Sequence, residues 1–305
     1  MSGSVPPSAT DVAAADEPWT IARLLAWTQD RFAKAGIDSP RLDAEYLLAA
    51  ALQCPRMSLY VEHHKVVEAD ERDRFRASVK RRLAREPVAY ILGRRGFHAL
   101  DLELSVDRRV LVPRPETELL VDWVLEELRP EPAPQMAVLD VGTGSGAIAL
   151  ALKRARPGLV VTGVDISDGA LDVARGNGAR AELDVTWGRS DLMADVAPPP
   201  GGWTVVAANL PYIATDVLAT LEPEVRDHEP ALALDGGPDG LDLVRRLLGQ
   251  VREPGVLAGR GAVYLEIGFD QGEAVRALMT AAGLQDVAVR QDASGHPRIV
   301  RGFRG

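Results

Sequence analysis

Helical and strand patterns alternate along the chain from Pro113 to its end. The strand patterns are short and apolar, as in "MAVLDVG", "LVVTGVD", "WTVVAANL" and "GAVYLEIGF", and amphipathic stretches separate them. Strict alternation predicts a mostly parallel sheet with helices on both faces, because parallel neighbours need a crossover connection. The final segment, "LQDVAVRQDASGHPRIVRGF", predicts two strands around a turn and therefore an antiparallel edge. The fold class predicted for this part is α/β.

Regions with other patterns precede this alternation. Residues 19–92 carry helical periodicity, as in "TIARLLAWTQDRFAKAG", and predict an all-helical domain. Residues 93–112 change to a period of two, which predicts a β-hairpin that turns at "VDRR" and links the two domains. Residues 1–18 are rich in Ala, Ser, Pro and Asp and are expected to form a disordered tail. The sheet domain is expected over 113–305.

The composition argues against several classes of protein. Cys54 is the one cysteine among 305 residues, so no internal disulfide can form, and a reducing, cytoplasmic compartment is expected. No apolar run approaches the ~20 residues that cross a bilayer, so no membrane partner is expected. The net charge of −9 does not favour stable binding to nucleic acid. No residue pattern typical of a metal site is present, and no metal is expected.

A glycine-rich turn joins the first strand of the alternation to the next helix, in "VLDVGTGSGAIAL". Glycine lets the backbone fold tightly here and approach a ligand without a Cβ in the way. The spacing G-x-G-x-G is shorter than the dinucleotide pattern and, preceded by Asp140, suits a ligand without phosphate. The residues of this turn that we expect to bind a cofactor are Asp140, Gly142, Thr143, Gly144, Ser145 and Gly146.

Two carboxylates follow at the ends of the next strands. Asp165 ends "TGVD", where it can accept hydrogen bonds from both ribose hydroxyls of a nucleoside. Asp191, in "GRSDLM", can accept one from an adenine amine, and Leu192 can pack on the ring. A tight turn with two helix caps is the simpler alternative. In this order, the glycine turn and the two carboxylates resemble the S-adenosylmethionine site of class I methyltransferases.

The strand pattern "WTVVAANL" is the fourth of the alternation, because the short strand "LDVTWG" precedes it, and it stops at an amide, in "AANLPYIA". In the class I order this strand lies beside the first, so Asn209 would face the methyl donor. The Asn209 oxygen and the Leu210 carbonyl can hold the two N–H bonds of a planar amino group, and Pro211 restricts the backbone. Tyr212 can cover the flat face of the substrate. An Asn-containing turn at a strand end is the alternative interpretation.

The chain resembles the PrmC/HemK family, whose members methylate the N5 atom of a glutamine in peptide chain release factors. The resemblance runs through "SPRLDAEYLL", "REPVAYILGRRGF", "VLVPRPETELLV", "LDVGTGSGAIALAL" and "NLPYI", and through the long stretch "EVRDHEPALALDGGPDGLD". The usual tetrapeptide of the family is Asn-Pro-Pro-Tyr, and this chain has Leu210 in its second position. Because that position contributes a backbone carbonyl, leucine can serve there.

The resemblance implies a class I, Rossmann-like methyltransferase sheet behind an N-terminal helical domain that recognises the protein substrate. It implies S-adenosyl-L-methionine as cofactor and class I release factors as partners, through the glutamine of their Gly-Gly-Gln motif. The implied catalytic residues are Asn209, Pro211 and Tyr212, and Leu210 joins them in binding substrate. The implied cofactor-binding residues are the glycine turn, Asp165, Asp191, Leu192 and Asn209.

Some alternatives stay open at this level. Asn-Leu-Pro-Tyr also suits methylation of an exocyclic amine in a nucleic-acid base, and a cofactor-binding protein without transfer activity is a third possibility. "PRPETE" (113–118) is typical of a helix start, although Arg114 and its neighbours could line the mouth of an active site. The long acidic segment 213–240 is expected to cover the substrate or to contact the release factor.

Overall fold

The computed structural model describes residues 18–128 and 136–305. The chain divides into two compact units, Met1–Leu92 and Gly93–Gly305. The tail expected over residues 1–18 lies outside the described residues, apart from Pro18. Within the described ranges, no helix combines the length and the apolar character that a bilayer crossing demands.

The first unit is helical, as its periodicity predicts. Its first helix begins after Thr20, whose Oγ1 accepts a hydrogen bond from the backbone of Arg23, and its second begins with proline, which suits a first turn. Phe32, Leu47 and Leu48 are fully buried in its core. The helices are α1 (Ile21–Lys34), α2 (Pro40–Ala51), α3 (Ser58–Val61), α4 (Ala69–Leu83) and α5 (Val88–Leu92).

A two-stranded hairpin of β1 (Arg94–Phe97) and β2 (Leu102–Ser105) opens the second unit. The prediction that it turns at "VDRR" is wrong, because the turn lies at 98–101 and Val106 comes after β2. The alternation of buried residues runs on through Val106, so periodicity alone could not show where the pairing ends. Asn177 exchanges two hydrogen bonds with the Ser105 backbone and so joins β2 to the rest of this unit.

The second unit is built on a seven-stranded sheet of order β5-β4-β3-β6-β7-β9-β8. All neighbours are parallel, except that β9 is antiparallel to both β7 and β8. This arrangement confirms the predicted sheet and its antiparallel edge. The strands are β3 (Ala137–Val141), β4 (Val160–Asp165), β5 (Thr186–Arg189), β6 (Trp203–Ala208), β7 (Leu257–Glu266), β8 (Leu284–Gln291) and β9 (Pro297–Arg304). The helices are α6 (Pro115–Glu127), α7 (Ala147–Ala155), α8 (Asp168–Ala181), α9 (Pro223–Arg226), α10 (Asp242–Val251) and α11 (Gly272–Ala281).

The strand order reverses at β3, which lies between β4 and β6. Val141, the last residue of β3, is in register with Val164 of β4 and Ala208 of β6. Because successive side chains point to opposite faces, Val138 packs in one core cluster, while Leu139 packs in the other. The carboxyl ends of β3, β4 and β6 therefore meet at one edge, where ligands bind in sheets of this kind.

Candidate active site

The glycine turn after β3 folds back onto the end of β4. The backbone N–H groups of Gly142 and Thr143 both donate to the Val164 carbonyl at 2.9 Å. Gly142 and Gly144 hold φ angles of +71° and +55°, in the left-handed region that side chains disfavour. A Cβ on Gly142 would lie 3.3 Å from Leu210 Cδ2, so glycine lets β3 and the segment after β6 approach each other.

A cavity of about 280 Å³ lies at this edge of the sheet. Its wall combines the glycine turn, the ends of β4, β5 and β6, the residues before α6 and part of the 213–240 segment. Ten of the residues predicted for the site line it: Gly142, Thr143, Gly144, Ser145, Asp165, Asp191, Leu192, Asn209, Leu210 and Pro211.

Asp140 lies outside that lining, although we expected it among the cofactor-binding residues. Val138 and Asp140 are two residues apart on β3, so their side chains point to the same face of the sheet, toward α7. Asp140 is fully buried there. Its Oδ2 accepts hydrogen bonds from Thr143 Oγ1 at 2.6 Å and Ala149 N at 3.1 Å. Burial raises the pKa of Asp140 to about 7, against the effect of these two bonds. Asp140 therefore braces the glycine turn from behind.

Gly146 is also outside the lining, and its role is packing. A Cβ at Gly146 would lie 3.0 Å from the Trp187 ring, and a Cβ at Gly163 on β4 would lie 2.5 Å from the same ring. The indole of Trp187 thus occupies the space that side chains at these two glycines would need. The third glycine of the turn therefore fits α7 against the sheet.

Asp165 and Asp191 stand at the ends of β4 and β5. The Asp165 carboxylate accepts from Gly144 N and Ser167 N, both at 2.9 Å, so it ties the glycine turn to the start of α8. Burial raises the pKa of Asp165 despite these bonds. Asp191 accepts from Arg246 Nη2 at 2.6 Å and is about half exposed. Each carboxylate oxygen can accept two hydrogen bonds, so both groups keep capacity for a ligand.

Asn209 follows β6 directly and is oriented by α6. Its Nδ2 donates to Thr117 Oγ1 at 3.1 Å, and Thr117 lies in the first turn of α6 with only 4% of its surface exposed. The Thr117 hydroxyl also interacts with Glu266, a buried carboxyl at the end of β7, and lowers the pKa of that carboxyl. Burial raises the pKa of Glu266 to about 7. Sequence reasoning placed Thr117 only among the neighbours of Arg114 that could line the site, and it missed Glu266. The signal for Glu266 was a carboxyl that ends an otherwise apolar strand.

The backbone after Asn209 is held by the glycine-rich stretch "DGGPDGLD" (235–242) and by α11. Gly236 N donates to the Ile213 carbonyl at 2.8 Å, and a Cβ at Gly236 would lie 2.7 Å from Pro211 O. Gln271 Nε2 donates to the Tyr212 carbonyl at 2.9 Å. These contacts explain why glycines recur in this stretch. Sequence reasoning expected residues 213–240 to cover the substrate or to contact the release factor, but it gave these glycines no role.

Tyr212 does not line the cavity but lies among charged side chains next to it. Burial and the nearby Glu266 carboxyl raise its pKa to about 12, whereas Arg114 and Arg298 lower it. Arg114 is likewise outside the lining, while its neighbours Pro113 and Thr117 belong to it. The described part of the chain contains no group of three His, Cys, Asp or Glu residues that could hold a metal ion.

Two domain families match the chain. The PrmC N-terminal domain matches residues 23–93, and a methyltransferase domain matches residues 138–228. A release factor glutamine methyltransferase from Caulobacter vibrioides is 41% identical over 296 residues, which cover 93% of this chain and 97% of the relative. One from Rhodopirellula baltica is 41% identical over 290 residues, with 93% and 96% covered.

Among solved structures, the human methyltransferase 10 domain containing protein superposes with a TM-score of 0.51. It is 13% identical, and the match covers 68% of this chain and 89% of that one. At this identity the likeness supports the class I methyltransferase fold and nothing finer.

Proposed function

Because this chain belongs to the family of release factor glutamine methyltransferases, we propose that it methylates the N5 atom of the glutamine in the Gly-Gly-Gln motif of class I release factors. S-Adenosyl-L-methionine is the proposed methyl donor. One observation carries the proposal: a single cavity is lined both by the glycine turn and by Asn209 to Pro211. A donor site and an acceptor site therefore share one space at the reversal of the sheet.

The residues present fit S-adenosylmethionine. Gly142 and Gly144 of the turn lie in the cavity wall, where they have no Cβ to block a ligand, and Arg109 and Arg246 are the cations that line it. Asp165 can accept from the ribose hydroxyls, Asp191 from the adenine amine, and Leu192 offers apolar surface to the ring. When bound, this cofactor supplies an electrophilic methyl carbon on a sulfonium.

On the acceptor side, Asn209 and the residues after it hold the glutamine amide. The Asn209 oxygen and the Leu210 carbonyl accept its two N–H bonds, and Pro211 restricts the backbone. Tyr212, which lies next to the cavity and outside its lining, supports this segment from beside the bound amide. A glutamate in place of the glutamine offers no N–H, and leaving a buried acceptor without a partner costs about 1–3 kcal/mol. Positioning supplies most of the rate enhancement in this scheme.

An assay with methyl-labelled cofactor tests the proposal. We expect label in an intact release factor, its loss when the Gly-Gly-Gln glutamine is replaced by alanine, and a single methyl on N5 by peptide mass spectrometry. Label that enters DNA or RNA but not the release factor would favour an exocyclic base amine as acceptor and overturn the proposal. No label in any acceptor, with normal cofactor binding, would favour a protein that only binds the cofactor.

A further inference from the structure

We propose that Thr117 and Glu266 are positioning residues that orient the Asn209 carboxamide, so that its oxygen and not its NH₂ group faces the substrate amide. The inference rests on the proposed function, because it assigns Asn209 the task of accepting a substrate N–H. It adds two residues from separate elements, the first turn of α6 and the end of β7.

The sheet register brings these groups together. Ala208 of β6 pairs with Leu265 of β7, so the next residues, Asn209 and Glu266, leave neighbouring strands side by side. Thr117 lies between them: it accepts from Asn209 Nδ2 at 3.1 Å, and its hydroxyl lowers the pKa of the Glu266 carboxyl. Thr117 and Glu266 are only 4% and 3% exposed, so water does not compete for these bonds.

The direction of the bonds follows from what each group can donate. An ionised carboxylate has no proton, so the Thr117 hydroxyl is the donor in any hydrogen bond between Thr117 and Glu266. The Thr117 oxygen can then only accept, and the NH₂ group of Asn209 is the donor that meets it. The two ends of a carboxamide have nearly the same shape, so packing alone would not choose between them. The hydroxyl–carboxylate pair makes the choice and leaves Asn209 Oδ1 for the substrate.

Protonation of Glu266 would reverse this direction. Burial and the Glu116 carboxylate raise the pKa of Glu266 to about 7, whereas Thr117, Arg298 and Arg114 lower it. Tyr212 is a further titratable group beside Glu266. Oε2 of Glu266 is buried with no partner within the described residues. A protonated Glu266 could donate to Thr117, whose own proton would then point to Asn209 and draw Oδ1 toward itself. The productive orientation is therefore lost as pH falls through about 7.

Kinetics of Thr117 variants test the role of the hydroxyl. Thr117→Val keeps the shape of the side chain and removes the hydroxyl, and we expect kcat to fall about tenfold or more with the affinity for S-adenosylhomocysteine nearly unchanged. Thr117→Ser should recover most of that loss. Thr280→Val, at an exposed helical threonine, is the matched control and should behave like the parent. A parent-like kcat in Thr117→Val, or an equal loss in Thr117→Ser, would overturn the proposal.

A second measurement needs no acceptor. The side-chain amide signal of Asn209, identified in NMR spectra by its loss in Asn209→Ala, should titrate with a midpoint near pH 7 and stay constant in Glu266→Gln. A signal that is constant in the parent, or that still titrates in Glu266→Gln, would show that Glu266 does not set the orientation. Because no release factor is present, this result is independent of the proposed substrate. A parent enzyme that titrates but does not label release factor would contradict the proposed function alone.

Discussion

Arg114 Nη2 donates to both oxygens of the Glu229 carboxylate, at 2.7 and 2.9 Å. The Glu229 side chain is 1% exposed, whereas that of Arg114 is 35% exposed. This pair joins the residue before α6 to the 213–240 segment, part of which lines the cavity. The sequence allowed Arg114 either a role at a helix start or a place at the mouth of the site. In the structure, its ion pair with Glu229 attaches the 213–240 segment to the start of α6.

Removal of the Arg114–Glu229 ion pair should make the 213–240 segment less stable. In Arg114→Ala the buried Glu229 carboxylate loses its cationic partner, and we expect a loss of about 1–3 kcal/mol in the free energy of unfolding. Hydrogen exchange over residues 213–240 should become faster. Arg245→Ala, which breaks an exposed pair with Asp239, is the control and should lower the free energy of unfolding much less, because water screens that pair. Equal losses of unfolding free energy in the two variants would contradict a stabilising role for the Arg114–Glu229 ion pair.

Truncation of Asn209 should affect turnover far more than cofactor binding. Asn209→Ala removes the oxygen that we propose accepts a substrate N–H, and misplacement of a reacting group can cost about 100-fold in rate. We expect kcat to fall by that order while the affinity for S-adenosylhomocysteine, measured by calorimetry, changes little. Methylation of release factor at the parent rate by this variant would refute the assignment of Asn209.

Asp165 should matter for cofactor affinity. Asp165→Ala removes the acceptor of Gly144 N and Ser167 N and the proposed ribose partner, and we expect affinity for S-adenosylhomocysteine to fall about tenfold or more. Asp168→Ala is the matched control, since that carboxylate lies three residues on and its side chain is 76% exposed. Calorimetry on both variants decides the matter: similar affinities would exclude Asp165 from the cofactor site.

The contact between Gly163 and Trp187 should resist any added side chain. The Cβ of Gly163→Ala would lie 2.5 Å from the indole and 2.9 Å from Thr143 Oγ1, and overpacking of this kind costs about 1–3 kcal/mol. Gly249, on α10, has nothing within 4 Å of a built Cβ, so Gly249→Ala should stabilise by about 0.5–1 kcal/mol. Urea unfolding measures both, and we expect changes of opposite sign; a stabilised Gly163→Ala would disprove the close packing.

The buried carboxyl of Asp140 should make stability depend on pH. Its pKa is raised from 3.8 to about 7, so the folded chain binds a proton that the unfolded chain has released at intermediate pH. The free energy of unfolding should therefore decrease as pH rises from about 4 to 7 and then level off. Glu266 acts in the same direction.

Asp140→Asn isolates this contribution, because the amide does not titrate yet keeps an oxygen for Thr143 and Ala149. We expect the fall in unfolding free energy between pH 5 and pH 8 to shrink by about 1–3 kcal/mol relative to the parent. Asp140→Asn/Glu266→Gln should show a still flatter profile. A steeper pH dependence in Asp140→Asn would mean that the sign of the shift is wrong.

The alternation of helical and strand patterns, together with the turn residues that bound them, was enough to predict the helical unit and the sheet with its antiparallel edge. It also predicted that Gly142, Asp165 and Asn209 lie near one another. These features are local: a strand, its glycine turn and its final polar residue are adjacent in the chain. The turn of the β1–β2 hairpin was placed wrongly, because a period of two continues past the last paired residue, Ser105.

Local sequence patterns specify which elements form and which polar groups end the strands. The tertiary structure alone decided which of those groups face the cavity. Asp140 turns away because of the strand pleat. Thr117, 92 residues before Asn209, reaches it because α6 packs on β7 with its first turn beside the end of β6. The orientation of a side chain depends on partners that are distant in the sequence and become neighbours only in the folded chain. Strand and helix formation depend instead on residues that are adjacent along the chain.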